Sequence, residues 1–186
     1  TDNGGAATFN YCPYGTIEDT DFALNSATGI NKNAGGIEFS GCNMTVYDCT
    51  FSENSGYFGG SIWAWNSSYL AIIGCDFTEN NAQYGPGLYG TGGRVYLFDS
   101  SFSQNAAGSS GGGVYCDDGM ALMIQDCSFN QNSAAESGGA LSLSNSYSTQ
   151  DIVNNCTFTN NSAQHAGAIY CGGSSHGFMS NCTIDN

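Results

Sequence analysis

The sequence has very few cationic residues. Lys and Arg together number 2 against 16 acidic residues, which gives a formal net charge of -14. Nucleic-acid binding needs a basic surface that neutralises phosphates, and attraction to anionic lipids needs clustered Lys and Arg. The composition therefore excludes nucleic acid as a partner and argues against a membrane surface. It is compatible with calcium or with a positively charged partner.

Long hydrophobic runs and the usual metal motifs are also missing. The longest apolar run, Tyr69 to Ile73, is far too short to span a bilayer, so no membrane insertion is expected. The 9 cysteines form no Cys-x-x-Cys pair, and no Gly-Gly-x-Gly-x-Asp calcium repeat occurs, so no cofactor or metal is predicted. The opening TDNGGAATFN does not resemble a signal peptide. We interpret the chain as a mature protein or as a piece of a larger one.

Signals for helices are absent as well. No long segment places apolar residues at helical spacing, and only 2 prolines occur. Glycine is abundant, with 27 residues, and so are Asn, Ser and Thr, a mixture typical of short strands joined by tight turns. Apolar residues make up 40% of the chain, which argues for a folded core.

The chain is built from an internal repeat of about 25 to 30 residues. One submotif, Cys-x-Phe-x-x-Asn or a close variant, begins at Thr20, Cys49, Cys75, Ser100, Cys127, Cys156 and Cys182. A second, glycine followed by a small and an aliphatic residue, has its aliphatic anchor at Ile37, Ile62, Leu88, Val114, Leu141 and Ile169. A third apolar column precedes the Cys position by three residues: Ile17, Val46, Ile72, Leu97, Ile124, Val153 and Met179.

Each repeat thus carries about three short alternating segments, which are unstable alone and must stack on the next repeat. The sequence predicts an all-β fold, a right-handed parallel β-helix (solenoid) of about seven turns that forms a single domain over residues 1–186. Like residues should stack in columns, among them Phe51, Phe77, Phe102, Phe129 and Phe158. The Asn column that follows is expected to adopt left-handed backbone and to satisfy its own amides.

The regular alternation of these motifs resembles the repeats of chlamydial polymorphic outer-membrane proteins and related pectin-lyase-like β-helices. Gly138-Gly139-Ala140-Leu141 matches the Gly-Gly-Ala-aliphatic element of those repeats, and Phe129 with Asn132 matches the Phe-x-x-Asn element. The resemblance covers nearly the whole chain. It implies a β-helix that is exposed at a surface and used in adhesion or as a scaffold.

Pectin-lyase-like folds also include enzymes. A lyase of this type needs an Arg or Lys base beside calcium-binding acids, and the chain offers only Lys32 and Arg94, about two to three turns apart. A hydrolase needs paired carboxylates on one face. The candidate pairs, Asp117 with Asp118 and Asp99 with Asp126, stand at turn positions. We therefore predict no catalytic site and no enzyme.

The two histidines do not change this prediction. His165 and His176 lie in turn segments with no Ser or Cys nucleophile pattern beside them. A solvated surface histidine is the simpler interpretation of each.

The cysteines allow two interpretations. Cys49 with Cys75, and Cys156 with Cys182, fall on adjacent turns of one column, where a strand spacing of ~4.8 Å brings the Cα atoms within disulfide range. Parallel side chains hold the Cβ atoms further apart than is ideal. The favoured alternative is a ladder of buried free thiols. The usage suits an oxidising compartment, and the odd number leaves at least one thiol unpaired within the chain.

Five Asn-x-Ser/Thr sequons are glycosylation candidates: Asn43, Asn66, Asn155, Asn160 and Asn181. Chance alone gives about four such motifs in a chain of this composition. Asn43 and Asn66 lie in apparent turns and are the best candidates. Asn155 and Asn181 share one column, so glycans on both would crowd each other.

Two columns of aromatic and aliphatic residues are predicted to point outward and to form a contact surface. The first follows the aliphatic anchors and reads Glu38, Trp63, Tyr89, Tyr115, Ser142 and Tyr170. The second lies two residues before the Cys position and reads Tyr47, Ile73 and Phe98. Exposed stripes of this kind indicate a partner, a neighbouring rod or sugar stacking. The alternative is cover by a loop or cross-strand stabilisation.

The functional hypothesis is an extracellular or cell-surface structural or adhesive module, with possible glycans. The first and last repeats match in phase and no capping element is apparent, so we expect a segment of a longer β-helix or a subunit that stacks head to tail in a filament. Partners would be further copies, head to tail or side by side, or a cell-surface partner. The alternative is a carbohydrate-binding or polysaccharide-degrading β-helix, with Trp63, Tyr89 and Tyr115 as the sugar-binding residues.

Overall fold

The computed structural model describes residues 5–27, 34–144, 151–173 and 177–186. Within these ranges every regular element is a β-strand, so they contain no helix that could cross a membrane. In chain order the strands are β1 (Ala7–Asn10), β2 (Gly15–Glu18), β3 (Asp21–Ala23), β4 (Ile37–Ser40), β5 (Asn43–Tyr47), β6 (Thr50–Ser52), β7 (Ile62–Ile73), β8 (Asp76–Thr78), β9 (Asn81–Tyr84), β10 (Leu88–Phe98), β11 (Ser101–Ser103), β12 (Ala106–Ser110), β13 (Val114–Asp117), β14 (Ala121–Gln125), β15 (Ser128–Asn130), β16 (Ser133–Ala134), β17 (Leu141–Ser144), β18 (Asp151–Asn154), β19 (Thr157–Thr159), β20 (Ile169–Gly172), β21 (Gly177–Ser180) and β22 (Thr183–Asp185).

These strands form three parallel sheets in which each strand pairs with its counterpart one repeat later. The first sheet has 12 strands in two side-by-side ladders, which the long strands β7 and β10 join. The second sheet has 7 strands in the order β22-β19-β15-β11-β8-β6-β3, and the third has 3. The 7 strands of the second sheet mark successive rungs, connected by about six full turns. The parallel β-helix predicted from the repeat is therefore the observed architecture.

The phenylalanine column is confirmed as a continuous stack inside the second sheet. From Phe22 to Phe158, neighbouring ring centroids lie 4.5 to 4.9 Å apart and neighbouring planes differ by at most 7°. Strand pairing sets this arrangement, because Phe102 is in register with Phe77 on one side and with Phe129 on the other. From Phe51 onward the rings are fully buried and belong to one core with the aliphatic anchors.

The asparagine column forms a hydrogen-bonded ladder beside the rings. Oδ1 of Asn105 accepts from both the backbone N and Nδ2 of Asn80, each at 3.0 Å. Nδ2 of Asn105 donates to the carbonyl of Phe77 at 2.9 Å and to Oδ1 of Asn132 at 2.9 Å. The same pattern recurs at each rung from Asn54 to Asn161. The ladder thus satisfies its own buried amides, as predicted.

The prediction that these asparagines adopt left-handed backbone is wrong by one position. The positive φ belongs to the residue before each Asn, for example Gln104 at 56° and Gln131 at 55°. The Asn side chain is held inside the ladder, so the exposed residue before it makes the turn. A second left-handed column precedes the Cys position, for example Asp99 at 48° and Asp126 at 56°, in agreement with the interpretation of those acids as turn residues.

A third left-handed column precedes the aliphatic anchors and contains one alanine. Glycine stands there at Gly59, Gly85, Gly111 and Gly138, whereas the last copy is Ala166 with φ 56°. A Cβ at positive φ costs about 1–2 kcal/mol. We expect Ala166→Gly to raise the free energy of unfolding by about 1 kcal/mol, measured by urea denaturation. The control is Ala168→Gly, because Ala168 is buried and its φ is not positive. This variant should lower the free energy of unfolding, and equal effects of the two substitutions would contradict the prediction.

Candidate functional site

The first predicted contact column lies in one file but is mostly covered. Tyr89 is in register with Trp63 and with Tyr115, as predicted. Tyr89 is only 8% exposed and Tyr115 9%, so the prediction that they face solvent is wrong. The ring of Phe58 lies 4.7 Å from that of Tyr89, and the ring of Tyr84 lies 5.2 Å from that of Tyr115. Residues of the preceding loop and strand therefore close over the column, which was the alternative interpretation.

Burial makes the covered tyrosines harder to ionise. Desolvation raises the pKa of Tyr115 to about 12 and also raises that of Tyr89, so both phenols resist ionisation at an alkaline pH that would ionise an exposed tyrosine. Trp63 is half-buried, and its Nε1 lacks a hydrogen-bond partner. The ring of Trp65, which is exposed, stacks at 6.0 Å from that of Trp63. Tyr170, at the far end of the column, is half-buried. The cluster is a packing element with an exposed edge at Trp65.

The second predicted contact column does lie on the outside of the first sheet. Ile73 is in register with Tyr47 on one side and with Phe98 on the other. Ile73 is exposed, and its two neighbours are half-buried. Strand alternation keeps all three side chains away from the core. Their role in binding a partner stays a prediction.

A cleft on the same outer face was not predicted from the sequence. Asn43 is in register with Tyr69, and Gly15 is in register with Met44, which places Tyr14 opposite Asn43 on its other side. The two tyrosines flank a cleft of about 480 Å³. The sequence did contain a signal, because Tyr14, Asn43 and Tyr69 occupy equivalent positions of successive repeats. The three residue types differ, so these positions do not form a recognisable repeat motif.

Four of the five sequons are exposed. Asn66, Asn155, Asn160 and Asn181 lie in exposed left-handed positions with φ between 49° and 54°. The prediction that Asn43 lies in a turn is wrong: Asn43 begins strand β5, where its backbone N donates to the carbonyl of Cys12, and it is half-buried. The Asn155 Nδ2 donates to Asp126, and the Asn181 Nδ2 donates to Asn154. Glycosylation at any of these sites stays a prediction.

All 9 cysteines are free thiols. The structure has free thiols at the positions considered for disulfides: Cys49, Cys75 and Cys156 are buried, and Cys182 is half-buried. This arrangement matches the predicted ladder of thiols, and disulfide formation by Cys49 with Cys75 or by Cys156 with Cys182 stays a prediction. In this column Sγ donates to the carbonyl two residues earlier, at the end of the preceding strand, at 3.2 Å for Cys49 and 3.4 Å for Cys75. Burial raises the pKa of Cys75 to about 11, which keeps this thiol protonated.

The acidic candidates remain turn residues. The Asp126 carboxylate accepts hydrogen bonds from Asn155 and from Gln125, and these bonds lower its pKa, which favours the ionised form. The Asp117 Oδ1 accepts from the backbone N of Asp118 at 2.8 Å, as in a tight turn. Exposed Asp99 stands one rung before Asp126.

The remaining candidates do not complete a site. Arg94 and His165 are exposed, whereas Lys32 and His176 lie outside the described residues. In the part of the chain that the structure describes, no group of three or more His, Cys, Asp or Glu side chains could hold a metal ion.

Comparisons with known proteins agree with this architecture. A family model described as the right handed beta helix region matches residues 1–155, and one described as the Chlamydia polymorphic membrane protein repeat matches residues 155–172. No curated protein and no solved structure matches the chain.

Proposed function

The chain belongs to the right-handed β-helix family, and on that basis we propose that it is an extracellular structural module exposed at a cell surface. The polymorphic-membrane-protein repeat at residues 155–172 supports the surface location, since the fold and this repeat together fit a module of an autotransporter-like surface protein. The module acts as a rod that displays loops and side chains, and its role is adhesive or structural rather than catalytic.

The observation that carries this proposal is the continuity of the interior ladders. Phenylalanine rings, asparagine amides and aliphatic anchors run through successive rungs, and rungs differ mainly in their outer residues and loops. Such a rod resists bending because each backbone is paired on both sides. Catalysis would require acidic and basic groups gathered in one cleft. Among the described residues the one Lys or Arg is Arg94, on strand β10, and no three His, Cys, Asp or Glu side chains are grouped so that they could hold a metal ion.

The role further includes head-to-tail stacking on a second copy. The last rung presents an apolar cleft of about 450 Å³, whose lining includes Leu143, Val153, Ala168 and Ile184. In the asparagine ladder, donors point toward the later rung at both ends: Asn25 donates to Asn54, and Asn161 donates to Asn186. If a second copy were placed on the last rung, its Asn25 Oδ1 would accept hydrogen bonds from the Asn186 amide groups of the first copy. The second copy would also cover the apolar cleft.

Analytical ultracentrifugation of the 186-residue chain tests the stacking. We expect oligomers that lengthen with concentration, because each added copy buries the apolar end of the one before. Ile184→Asp should return the protein to monomers, since it places a charge in the contact. The control Thr183→Asp, on the outer face of the same strand, should keep the oligomers. A monodisperse monomer over the whole concentration range, or equal effects of the two variants, would rule out the stacking.

A further inference from the structure

The cleft between Tyr14 and Tyr69 is a slot wide enough for one six-membered ring. Both side chains project outward, 87% and 43% exposed, from positions two rungs apart on the first sheet. Two rungs separate their Cα atoms by roughly 9.6 Å, and the shorter side chain of Asn43 stands between them. Two aromatic rings at that separation leave room for one further ring, each face of which can contact a tyrosine.

Polar groups line the floor and one side of the slot. Asn43 forms the floor, and Thr16 and Thr45, which are in register with each other, supply hydroxyls from the neighbouring outward column. The ring of Tyr69 is supported from behind by Tyr96, with centroids 5.0 Å apart, so one wall of the slot is held in place. The cleft of about 480 Å³ lies in the range of small-ligand sites, which combine apolar walls with a few placed polar groups.

The charges around the slot select among ring-shaped ligands. None of the side chains that line it is charged, whereas the whole chain carries -14, so an anionic ring would be repelled without a local ion pair. A pyranose ring has C–H groups on its faces and hydroxyls at its edge, which suit tyrosine walls together with amide and hydroxyl groups on the floor. An aromatic hydrocarbon ring would leave the amide and the two threonine hydroxyls without hydrogen-bond partners.

We propose that the slot formed by Tyr14, Asn43 and Tyr69 binds one pyranose unit of a neutral oligosaccharide. The two tyrosines stack on opposite faces of the sugar, and Asn43, Thr16 and Thr45 hydrogen-bond to its hydroxyls. This places sugar recognition on the outer face of the first sheet, away from the covered column of Tyr89 and Tyr115. It does not depend on head-to-tail stacking, because the slot lies on the side of the rod.

Isothermal titration calorimetry on protein made in bacteria, which leaves Asn43 unmodified, tests the proposal. The probes are hexasaccharides of glucose (β-1,4 and α-1,4), mannose and N-acetylglucosamine, with an acidic galacturonate hexasaccharide for comparison. We expect at least one neutral probe to bind in about the millimolar range or tighter and the galacturonate probe not to bind. Tyr14→Ala and Tyr69→Ala should each weaken binding by about tenfold, because each removes one stacked face.

The matched control is Tyr57→Ala, which removes a tyrosine of the same exposure, 43%, outside the cleft and should leave binding unchanged. Thermal unfolding of each variant shows whether the fold is kept. If Tyr69→Ala is destabilised, the result for Tyr14→Ala decides, because Tyr14 is almost fully exposed and its removal should not disturb the fold. Three results would overturn the proposal: no neutral probe binds, the galacturonate probe binds best, or Tyr57→Ala weakens binding as much as Tyr14→Ala. A fourth overturning result would come from mass spectrometry of protein secreted by N-glycosylating cells. Complete glycosylation of Asn43 would mean that the slot holds a covalently attached sugar instead of a bound oligosaccharide.

Discussion

Asn105→Ala is expected to lower the free energy of unfolding by about 4 kcal/mol, because four buried hydrogen bonds are lost at once. The backbone N and Nδ2 of Asn80 each lose a bond to Oδ1, and the carbonyl of Phe77 and Oδ1 of Asn132 each lose a bond from Nδ2. These groups lie in a part of the core where Asn105 is fully buried, so water cannot replace the missing bonds. Each lost hydrogen bond contributes about 1 kcal/mol, and a group left with no partner costs about 1–3 kcal/mol.

Urea unfolding followed by circular dichroism measures this loss, and Asn25→Ala is its matched control. Asn25 stands at the first rung of the same ladder, is half-buried, and donates to Asn54. Its side chain can be replaced by water, so we expect a loss below about 1 kcal/mol. Similar losses for the two variants would mean that the ladder does not act as a buried hydrogen-bond network.

The ladders could be predicted from the sequence because each rung repeats the same physical problem. An inward residue on one rung meets the inward residue of the next, so a repeat with Phe102 at one position and Phe129 at the equivalent position places their rings in contact. The asparagine bonds follow from the same reasoning. Only the left-handed position was misplaced, since either Asn105 or its neighbour Gln104 could have made the turn, and the side chain in the ladder decides between them.

The outer surface could be predicted less well because it depends on residues that do not repeat. Phe58 and Tyr84 cover Trp63 and Tyr89, and they precede the anchors in segments whose length and composition vary from rung to rung. Alternation assigns a side chain to the outside of a strand but does not show whether a loop lies over it. The prediction that Tyr89 is exposed was wrong for this reason.

The cysteines show a further limit of sequence reasoning. The repeat places Cys49 beside Cys75, as predicted, and that proximity is compatible both with a disulfide and with two free thiols. The rotamer decides between them, and it follows from which acceptor each Sγ can reach. In the structure the acceptor is the carbonyl that ends the preceding strand, Tyr47 for Cys49 and Ile73 for Cys75.

Phe102→Ala is expected to lower the free energy of unfolding by about 3–5 kcal/mol, because the column cannot close around the space that is left. The rungs on both sides are held at fixed spacing by the strand pairing of Phe102 with Phe77 and with Phe129. Their rings lie 4.5 and 4.8 Å from that of Phe102, and neither ring can move into the gap without breaking its own backbone pairing. The cavity therefore persists, and the contacts of both neighbouring rings are lost.

Two further substitutions in the column turn this expectation into a graded test by urea unfolding. Phe102→Ile should cost about half as much as alanine, since an aliphatic side chain fills part of the space and Ile184 already pairs with Phe158 in this column. Phe22→Ala, at the half-buried first rung, should cost least, because only Phe51 contacts its ring within the column. The loss of unfolding free energy should therefore decrease in the order Phe102→Ala, Phe102→Ile, Phe22→Ala. This order reflects how much buried space each substitution leaves empty between neighbouring rungs. A loss at Phe22 equal to that at Phe102 would show that the rings act as separate hydrophobic contacts rather than as a stack confined by the rungs.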